Sequence, residues 1–174
     1  MVCIPAVTVR NTKGVMGNED MKNTEKAFRW IVGILRKHDM PFQITGGLAA
    51  RIYGSDRPLA DIDIDVPEER IKDISAGVKD YIIWGPDRFV DDNWDLMLMT
   101  LKYEDQEIDI CSDIVKIRNA GTGKWKETRT DFTQSENHEI YGISVPVVKR
   151  DKLIEYKKIL NRPVDLEDVE AISK

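Results

Sequence analysis

An unbroken alternation of Asp and Ile at residues 61–65 restricts the fold of this chain more than any other feature. Side chains in a β-strand alternate between two faces, so the isoleucines can enter a core while Asp61, Asp63 and Asp65 share the opposite face. Successive acids on that face stand about 7 Å apart, and they repel one another unless a cation lies among them. Because oxygen ligands suit hard divalent cations such as Mg²⁺, the pattern is compatible with a metal site, although many solvent-facing strands also carry acids.

A second acidic segment, at residues 107–110, reads Glu-Ile-Asp-Ile and repeats this alternation. If it forms a strand beside the first, Asp61, Asp63 and Asp109 become neighbours in one carboxylate cluster. Such a cluster opposes folding unless metal neutralises it. Two metal ions held there could bind a triphosphate, activate an attacking hydroxyl and stabilise the leaving oxygen.

A pair of glycines, Gly46 and Gly47, follows a short apolar segment and precedes a helical pattern. Glycine has no Cβ, so its backbone can approach a ligand closely. At the N-terminus of a helix the backbone N–H groups point at such a ligand and favour phosphate oxygens. The pair is therefore compatible with the same phosphate chemistry.

Other sites that use clustered acids or glycines fit less well. In an EF-hand that begins at Asp61, the required Gly and Glu would fall at Val66 and Lys72. No Walker-type loop occurs, no Cys/His spacing indicates zinc, and the pair Gly121 and Gly123 is too short for a dinucleotide fingerprint. A Ser/His/Asp triad remains open, although neither histidine lies in a supporting motif.

The rest of the chain predicts alternating helices and strands, with one polar segment at 117–140 that we expect to have little regular structure. Helices are predicted at 21–38, 48–53, 67–79, 151–160 and from residue 165 onward. Strands are predicted at 42–45, 60–66, 81–84, 94–103, 107–111 and 143–148. This order predicts an α+β protein in which a mixed sheet is flanked by helices.

Composition limits the possible classes of protein. The chain has 174 residues, 41% of them hydrophobic, which predicts one domain, or one domain with a small appendage, with a true core. The net charge of −5 argues against a protein that coats nucleic acid. No apolar run is long enough to span a membrane and no secretion signal is present, so we expect a cytoplasmic location.

These motifs together resemble the nucleotidyltransferase superfamily, whose fold is shared by DNA polymerase beta and small antibiotic nucleotidyltransferases. The resemblance rests on the glycine pair at 46–47 and on the segments 57–64 and 107–110. Gly-Gly, rather than Gly-Ser, is similar to the aminoglycoside and lincosamide branch and to related toxin–antitoxin proteins. The C-terminal segment 151–168 also resembles the helical end of those proteins, whereas 112–142 matches nothing in them.

Residues 1–20 show no clear period, so we expect either a loose N-terminal arm or a short edge strand at Val7 and Val9. The resemblance implies a nucleotidyltransferase-like core at 21–148 and C-terminal helices at 149–174. It also implies a Mg²⁺-dependent reaction with two ions. In that reaction a nucleoside monophosphate passes from a nucleoside triphosphate (NTP), with ATP the most expected, to an acceptor hydroxyl on a small molecule or a protein.

Roles follow residue by residue from the same resemblance. Asp61 and Asp63 would be metal ligands, and Asp109 would be the third carboxylate, either as a ligand or as the general base. Gly46 and Gly47 would hold the triphosphate through their backbone.

Two cations have competing interpretations. Arg57, four residues before Asp61, would offset phosphate charge, or it is a solvated surface arginine. Lys157 would reach the nucleotide from the C-terminal helix, or it is an ordinary helix-face lysine.

The remaining acids of these motifs are expected to have structural roles. Asp65 is expected to help the turn into Pro67. Asp165 and Asp168 are expected to be helix caps rather than metal ligands.

A second function fits the same fold: a catalytically silent, antitoxin-like module that binds a nucleotide or a protein partner. Retention of three carboxylates favours the enzyme, because a binding module gains nothing from clustered repulsion. An RNA-end nucleotidyltransferase is less consistent with the negative net charge of the chain, so nucleic acid is not an expected partner. The one local basic and aromatic patch, at 124–129, could touch an acceptor. A membrane partner is not expected, and a homodimer is left open.

Overall fold

The computed structural model of the protein describes residues 18–174, so the predicted arm lies mostly outside the described residues. The α-helices are Asn18–Lys37 (α1), Gly46–Ile52 (α2), Ser75–Val78 (α3), Arg150–Leu160 (α4) and Pro163–Ile172 (α5). The strands are Gln43–Ile44 (β1), Asp61–Val66 (β2), Ile82–Val90 (β3), Trp94–Tyr103 (β4), Gln106–Arg118 (β5), Trp125–Arg129 (β6), Glu136–Ile140 (β7) and Ile143–Val147 (β8). Three short 3₁₀ segments connect them, at Glu68–Ile74, Lys79–Tyr81 and Phe132–Gln134.

One mixed sheet organises the described part of the chain. Its strand order is β3-β4-β5-β2-β1-β8-β7, and β6 pairs with the second half of β5. Strands β2 and β5 run parallel, whereas β4 and β5 are antiparallel. The helices and the mixed sheet confirm the predicted α+β class.

Helix α1 packs on the face of the sheet that carries the isoleucines. Its residues Phe28, Ile31 and Leu35 are completely buried and share one core with Ile62 and Ile64 of β2. Their spacing follows the helical period, so one stripe of the helix meets the sheet. Burying each of these side chains contributes about 1.5–3 kcal/mol, which fixes the acids of β2 on the opposite face.

The predicted helix at 67–79 is largely wrong in type, because most of this segment is 3₁₀ and only α3 is α-helical. Ile71 and Ile74 are both buried, and a three-residue spacing places two side chains above one another in a 3₁₀ turn. The isoleucine spacing thus suits the tighter helix.

The prediction that the third strand ends at Gly85 is also wrong, because β3 continues to Val90. The ladder with β4 is irregular between Trp84 and Asp87, where Gly85 has a φ of +74°. Pro86 lacks an N–H, which an edge strand tolerates at such a bulge. A glycine and a proline therefore interrupt the ladder without ending the strand.

The polar segment at 117–140 contains two strands, contrary to the prediction. Strand β5 runs on to Arg118, and β6 pairs with it from Ile114↔Arg129 to Arg118↔Trp125. No residue of β6 is buried, so it lacks the apolar alternation from which a strand is predicted. Among the described residues, no helix is both long and apolar enough to cross a membrane.

Candidate active site

Three carboxylates meet where β2 and β5 lie side by side. Asp63 is in register with Asp109, and Asp61 precedes Asp63 on the same face. Asp61, Asp63 and Asp109 each offer one oxygen atom, and these atoms lie within 4.8 Å of one another. All three side chains are partly open to solvent, so the cluster is accessible to a ligand.

Crowding and burial make this cluster electrostatically unfavourable without a cation. The charge of Asp63, followed by burial and the charge of Asp109, raises the pKa of Asp61 well above its ordinary value. Burial and the charge of Asp63 raise the pKa of Asp109 to about 6. Burial also raises the pKa of Asp63, although nearby positive groups partly oppose this.

The donor atoms of this cluster fit a hard divalent cation. They are all carboxylate oxygens, the ligands that Mg²⁺ prefers. Mg²⁺ holds such oxygens at about 2.0–2.1 Å, so two ligands of one ion stand at most about 4 Å apart. Small side-chain rotations would bring the oxygens of the cluster to that separation.

The glycine pair lies directly against the cluster, at the start of α2. A Cβ on Gly46 would lie 1.7 Å from Oδ2 of Asp63, and its φ is +60°, so only glycine fits there. The backbone N–H of Gly47 donates a hydrogen bond to Asp63 and holds the pKa of that carboxyl below the value that burial alone would give. Gly46 and Gly47 therefore position Asp63, a role that the sequence analysis did not predict.

Arg57 is held beside the cluster, and the surface interpretation of this residue is wrong. Its Nε and Nη2 donate to the two carboxylate oxygens of Asp168 at 3.2 and 3.1 Å. Only 18% of its side chain is exposed. Its charge opposes the rise in the pKa of Asp61, and Nη2 would lie 3.0 Å from a Cβ on Gly47.

Lys157 is buried, so it is not an ordinary helix-face lysine. It lies on α4 with 3% of its surface exposed. Its Nζ is 2.9 Å from Oδ2 of Asp168 and 3.4 Å from Oδ1 of Asp165. Its charge lowers the pKa of Asp63, so Lys157 acts on the cluster through the electric field.

The predicted capping positions are wrong by three residues: Asp165 is the capping-box acid rather than the N-cap, and Asp168 is not part of the cap. Helix α5 begins at Pro163, with Arg162 as its N-cap, and Asp165 accepts a hydrogen bond from the backbone N–H of Arg162 at 3.2 Å. Asp168 is completely buried one turn later. It accepts from Ser55 Oγ at 2.7 Å and pairs with the two cations described above.

Arg162 is a functional candidate that the sequence analysis did not predict. Its Nε and Nη2 donate to Asp165 at 2.7 and 3.0 Å, and its guanidinium lies 4.5 Å from the centre of the Trp94 ring. Its charge also lowers the pKa of Asp63. The available signal was the spacing of Arg162 and Asp165 around a helix-starting proline, which predicts that their polar groups meet.

These five charged residues form what we call the ion network: Arg57, Lys157, Arg162, Asp165 and Asp168. Three cations and two carboxylates leave one net positive charge beside the three acids of the cluster. The network therefore partly offsets the repulsion within the cluster and raises the positive potential beside it.

Asp65 lies on the same face of the sheet but outside the cluster of three. It accepts hydrogen bonds from Gln43 Nε2 and Thr130 Oγ1, both at 3.0 Å, and burial raises its pKa to about 7. It does not form the predicted turn contact. That role belongs to Asp113, whose Oδ1 accepts from the backbone N–H of Glu68 at 2.9 Å.

Comparison with known proteins identifies the fold. No protein-family model matches the chain, and no curated protein matches it in sequence. A candidate nucleotidyltransferase from Thermotoga maritima, TM1012, superposes with a TM-score of 0.68 at 19% identity over 86% of this chain and 91% of its own. The lincosamide antibiotic adenylyltransferase LnuA, in its lincomycin-bound form, gives 0.58 at 13% identity over 86% and 96%.

A third similar structure is ANT(2")-Ia in complex with adenylyl-2"-tobramycin. It gives a TM-score of 0.54 at 17% identity, over 86% of this chain and 87% of its own. The chain therefore has the nucleotidyltransferase fold that its sequence motifs resemble.

Proposed function

We propose that this protein is a Mg²⁺-dependent nucleotidyltransferase that transfers a nucleoside monophosphate from an NTP to an acceptor hydroxyl. One observation carries the proposal: carboxylates from two parallel neighbouring strands converge within 4.8 Å, beside a network with a net positive charge. An oxygen cluster of this kind suits metal ions, and the adjacent cations suit phosphate groups. The location that we propose is cytoplasmic.

In this proposal Asp61 and Asp63 hold the metal ions, and Gly46 and Gly47 border the triphosphate. The ions, when bound, neutralise phosphate charge and orient the attacking and leaving oxygens. Asp109 is a further ligand or the base that takes the proton of the hydroxyl.

The ion network would receive the negative charge of the triphosphate. Arg57 and Arg162 are each fixed on one side by a carboxylate, which holds their guanidinium groups in one orientation. A fixed donor loses less entropy when it binds phosphate than a free one. Lys157 is buried and pairs with the carboxylates that hold these two arginines, so we assign it an electrostatic role rather than a direct contact with the nucleotide.

ATP and a small hydroxyl compound are the donor and acceptor that the similar structures favour. LnuA is named as an adenylyltransferase and has lincomycin bound, and ANT(2")-Ia is in complex with an adenylylated tobramycin. We propose adenylyl transfer on this basis. A protein hydroxyl as acceptor and assembly into a homodimer are outcomes that the experiments can distinguish.

Thermal unfolding with a panel of NTPs tests this proposal. We expect Mg²⁺ and the correct NTP together to raise the melting temperature more than either alone. The ion neutralises the carboxylates and the triphosphate together, and the triphosphate supplies further oxygen ligands to the ion. An Asp61→Asn/Asp63→Asn variant should lose this joint effect. Absence of any shift with every NTP would contradict nucleotide transfer, and a shift without turnover of any acceptor would favour the silent binding module.

A further inference from the structure

The sheet face that carries the acidic cluster continues beyond Asp109 across β4 and β3. Thr100 of β4 is in register with Asp109 and donates a hydrogen bond from Oγ1 to its Oδ1 at 2.7 Å. Trp84 of β3 is in register with Thr100. Directly opposed residues of antiparallel strands share a face, so Trp84 lies on the same side of the sheet as the cluster.

Four apolar side chains on this extension form what we call the apolar face: Trp84, Phe89, Leu96 and Leu98. The exposed carboxylate of Asp87 lies opposite Leu98 on the same face. Leu98 is in register with Cys111, two residues after Asp109, and Phe89 is in register with Leu96. The Trp84 and Phe89 rings meet edge to face, with their centres 5.8 Å apart. All four side chains are partly exposed, and none belongs to the core that α1 covers.

The cations of β3 and β4 are already paired. Arg88 pairs with Asp95 at 2.6 Å, and Lys102 lies 3.5 Å from Asp105. The strands therefore offer apolar and aromatic surface beside the cluster without an unpaired cation. Such a surface favours a neutral or cationic molecule with an apolar group and disfavours a phosphorylated one.

We propose that the apolar face is the acceptor subsite, and that the acceptor is a small hydroxyl compound with an aromatic or flat apolar group. This inference rests on the proposed function. Neighbouring strands are about 4.8 Å apart, so side chains on β4 and β3 lie roughly 5 and 10 Å from the line of Asp109. A ring that contacts Trp84 therefore brings a hydroxyl to the carboxylate of Asp109 when that hydroxyl is carried roughly 10 Å from the ring contact, as on a sugar attached to the ring.

The chemical step balances with the groups already named. The acceptor oxygen forms a bond to the α-phosphorus of the NTP, and the bond from that phosphorus to the bridging oxygen breaks. Pyrophosphate leaves with the electron pair, and the hydroxyl proton passes to the carboxylate of Asp109. The apolar face takes no part in bond making and only orients the acceptor.

Two probes with the same sugar hydroxyls test the subsite: phenyl β-D-glucoside and methyl β-D-glucoside. Their dissociation constants are measured by calorimetry on protein loaded with Mg²⁺ and α,β-methylene-ATP. This analogue cannot donate its adenylyl group, because a methylene group replaces the oxygen between the α- and β-phosphorus atoms. We expect the phenyl glucoside to bind at least tenfold more tightly. Trp84→Ala should remove this preference, and Trp84→Phe should retain most of it, because the contact requires an aromatic ring.

Val90→Ala is the matched control, since this exposed side chain lies on β3 next to Phe89 and therefore on the opposite face of the strand. It should leave the preference unchanged. Equal affinity for the two glucosides, or a preference that survives Trp84→Ala in folded protein, would overturn the subsite. So would a dimer that Trp84→Ala converts to monomer while glucoside binding stays the same, because the face would then bind a second copy.

The loading step separates this inference from the proposed function. Mg²⁺ with α,β-methylene-ATP should raise the melting temperature of the wild type and of Trp84→Ala equally. If loading fails in the wild type, the nucleotidyltransferase proposal fails. If loading succeeds and the phenyl preference is missing, only the acceptor subsite is wrong.

Discussion

Replacing Asp109 by Asn should stabilise the metal-free protein, although it removes a proposed catalytic group. In the folded chain burial and the charge of Asp63 raise the pKa of Asp109 from its ordinary 3.8 to about 6. Asparagine has nearly the same shape, and its carbonyl oxygen can still accept the hydrogen bond of Thr100. The substitution therefore removes repulsion and desolvation cost with little loss of packing.

The magnitude follows from the pKa of Asp109. A difference of about two pKa units corresponds to about 3 kcal/mol, at about 1.4 kcal/mol per unit. The folded pKa is the higher one, so the unfolded chain ionises first as the pH rises. The wild type consequently loses stability between about pH 4 and pH 6, and the advantage of Asp109→Asn grows from near zero to about 2–3 kcal/mol.

Urea denaturation in EDTA at several pH values between 4 and 8 measures this difference. Asp95→Asn is the control, because Asp95 pairs with Arg88 and this hydrogen bond lowers its pKa. The control should gain no stability as the pH rises. Added Mg²⁺ should stabilise the wild type more than the Asp109→Asn variant, which keeps Asp61 and Asp63. An Asp109→Asn protein that is less stable than the wild type at pH 8, or a difference that does not change with pH, would refute the reasoning.

Three further substitutions test other parts of the site. Asp63→Asn should abolish nucleotide transfer yet leave the metal-free protein as stable or more stable, and a clear loss of stability in urea would mark Asp63 as a structural residue. Gly46→Ala should lower the affinity for Mn²⁺ at least tenfold, because its Cβ would lie 1.7 Å from Oδ2 of Asp63; unchanged affinity in a Mn²⁺ titration would contradict this. Asp168→Asn should destabilise the protein by about 3–5 kcal/mol in urea, since it removes the buried carboxylate that pairs with both Arg57 and Lys157, whereas Glu170→Gln at an exposed position of the same helix should have little effect. An Asp168→Asn protein as stable as that control would show that the ion network is not needed for folding.

The sequence predicted the centre of the fold because its signal there is local. An alternation of Asp and Ile has one arrangement in which every apolar side chain is buried, and this fixes the faces of β2. The repeat at Glu107 then predicts its partner strand. The cluster of Asp61, Asp63 and Asp109 follows from these two patterns, while the catalytic roles of its members stay predictions.

The parts that could not be predicted depend on contacts between distant residues. The role of Gly46 depends on the carboxylate of Asp63, seventeen residues later. Asp168 was expected to be a cap because local rules describe only its own helix, whereas its partners Ser55 and Arg57 lie more than one hundred residues earlier. Likewise, β6 is held by pairing with β5 and carries no apolar pattern of its own.

Mn²⁺ binding followed by electron paramagnetic resonance, with and without ATP, tests the central claim most directly. The account predicts that ATP strengthens Mn²⁺ binding to the wild type, and that Asp61→Asn and Asp63→Asn each weaken this binding at least tenfold without unfolding the protein. If both variants bind Mn²⁺ and ATP as the wild type does, the carboxylates of β2 do not hold the metal and the proposed mechanism is wrong.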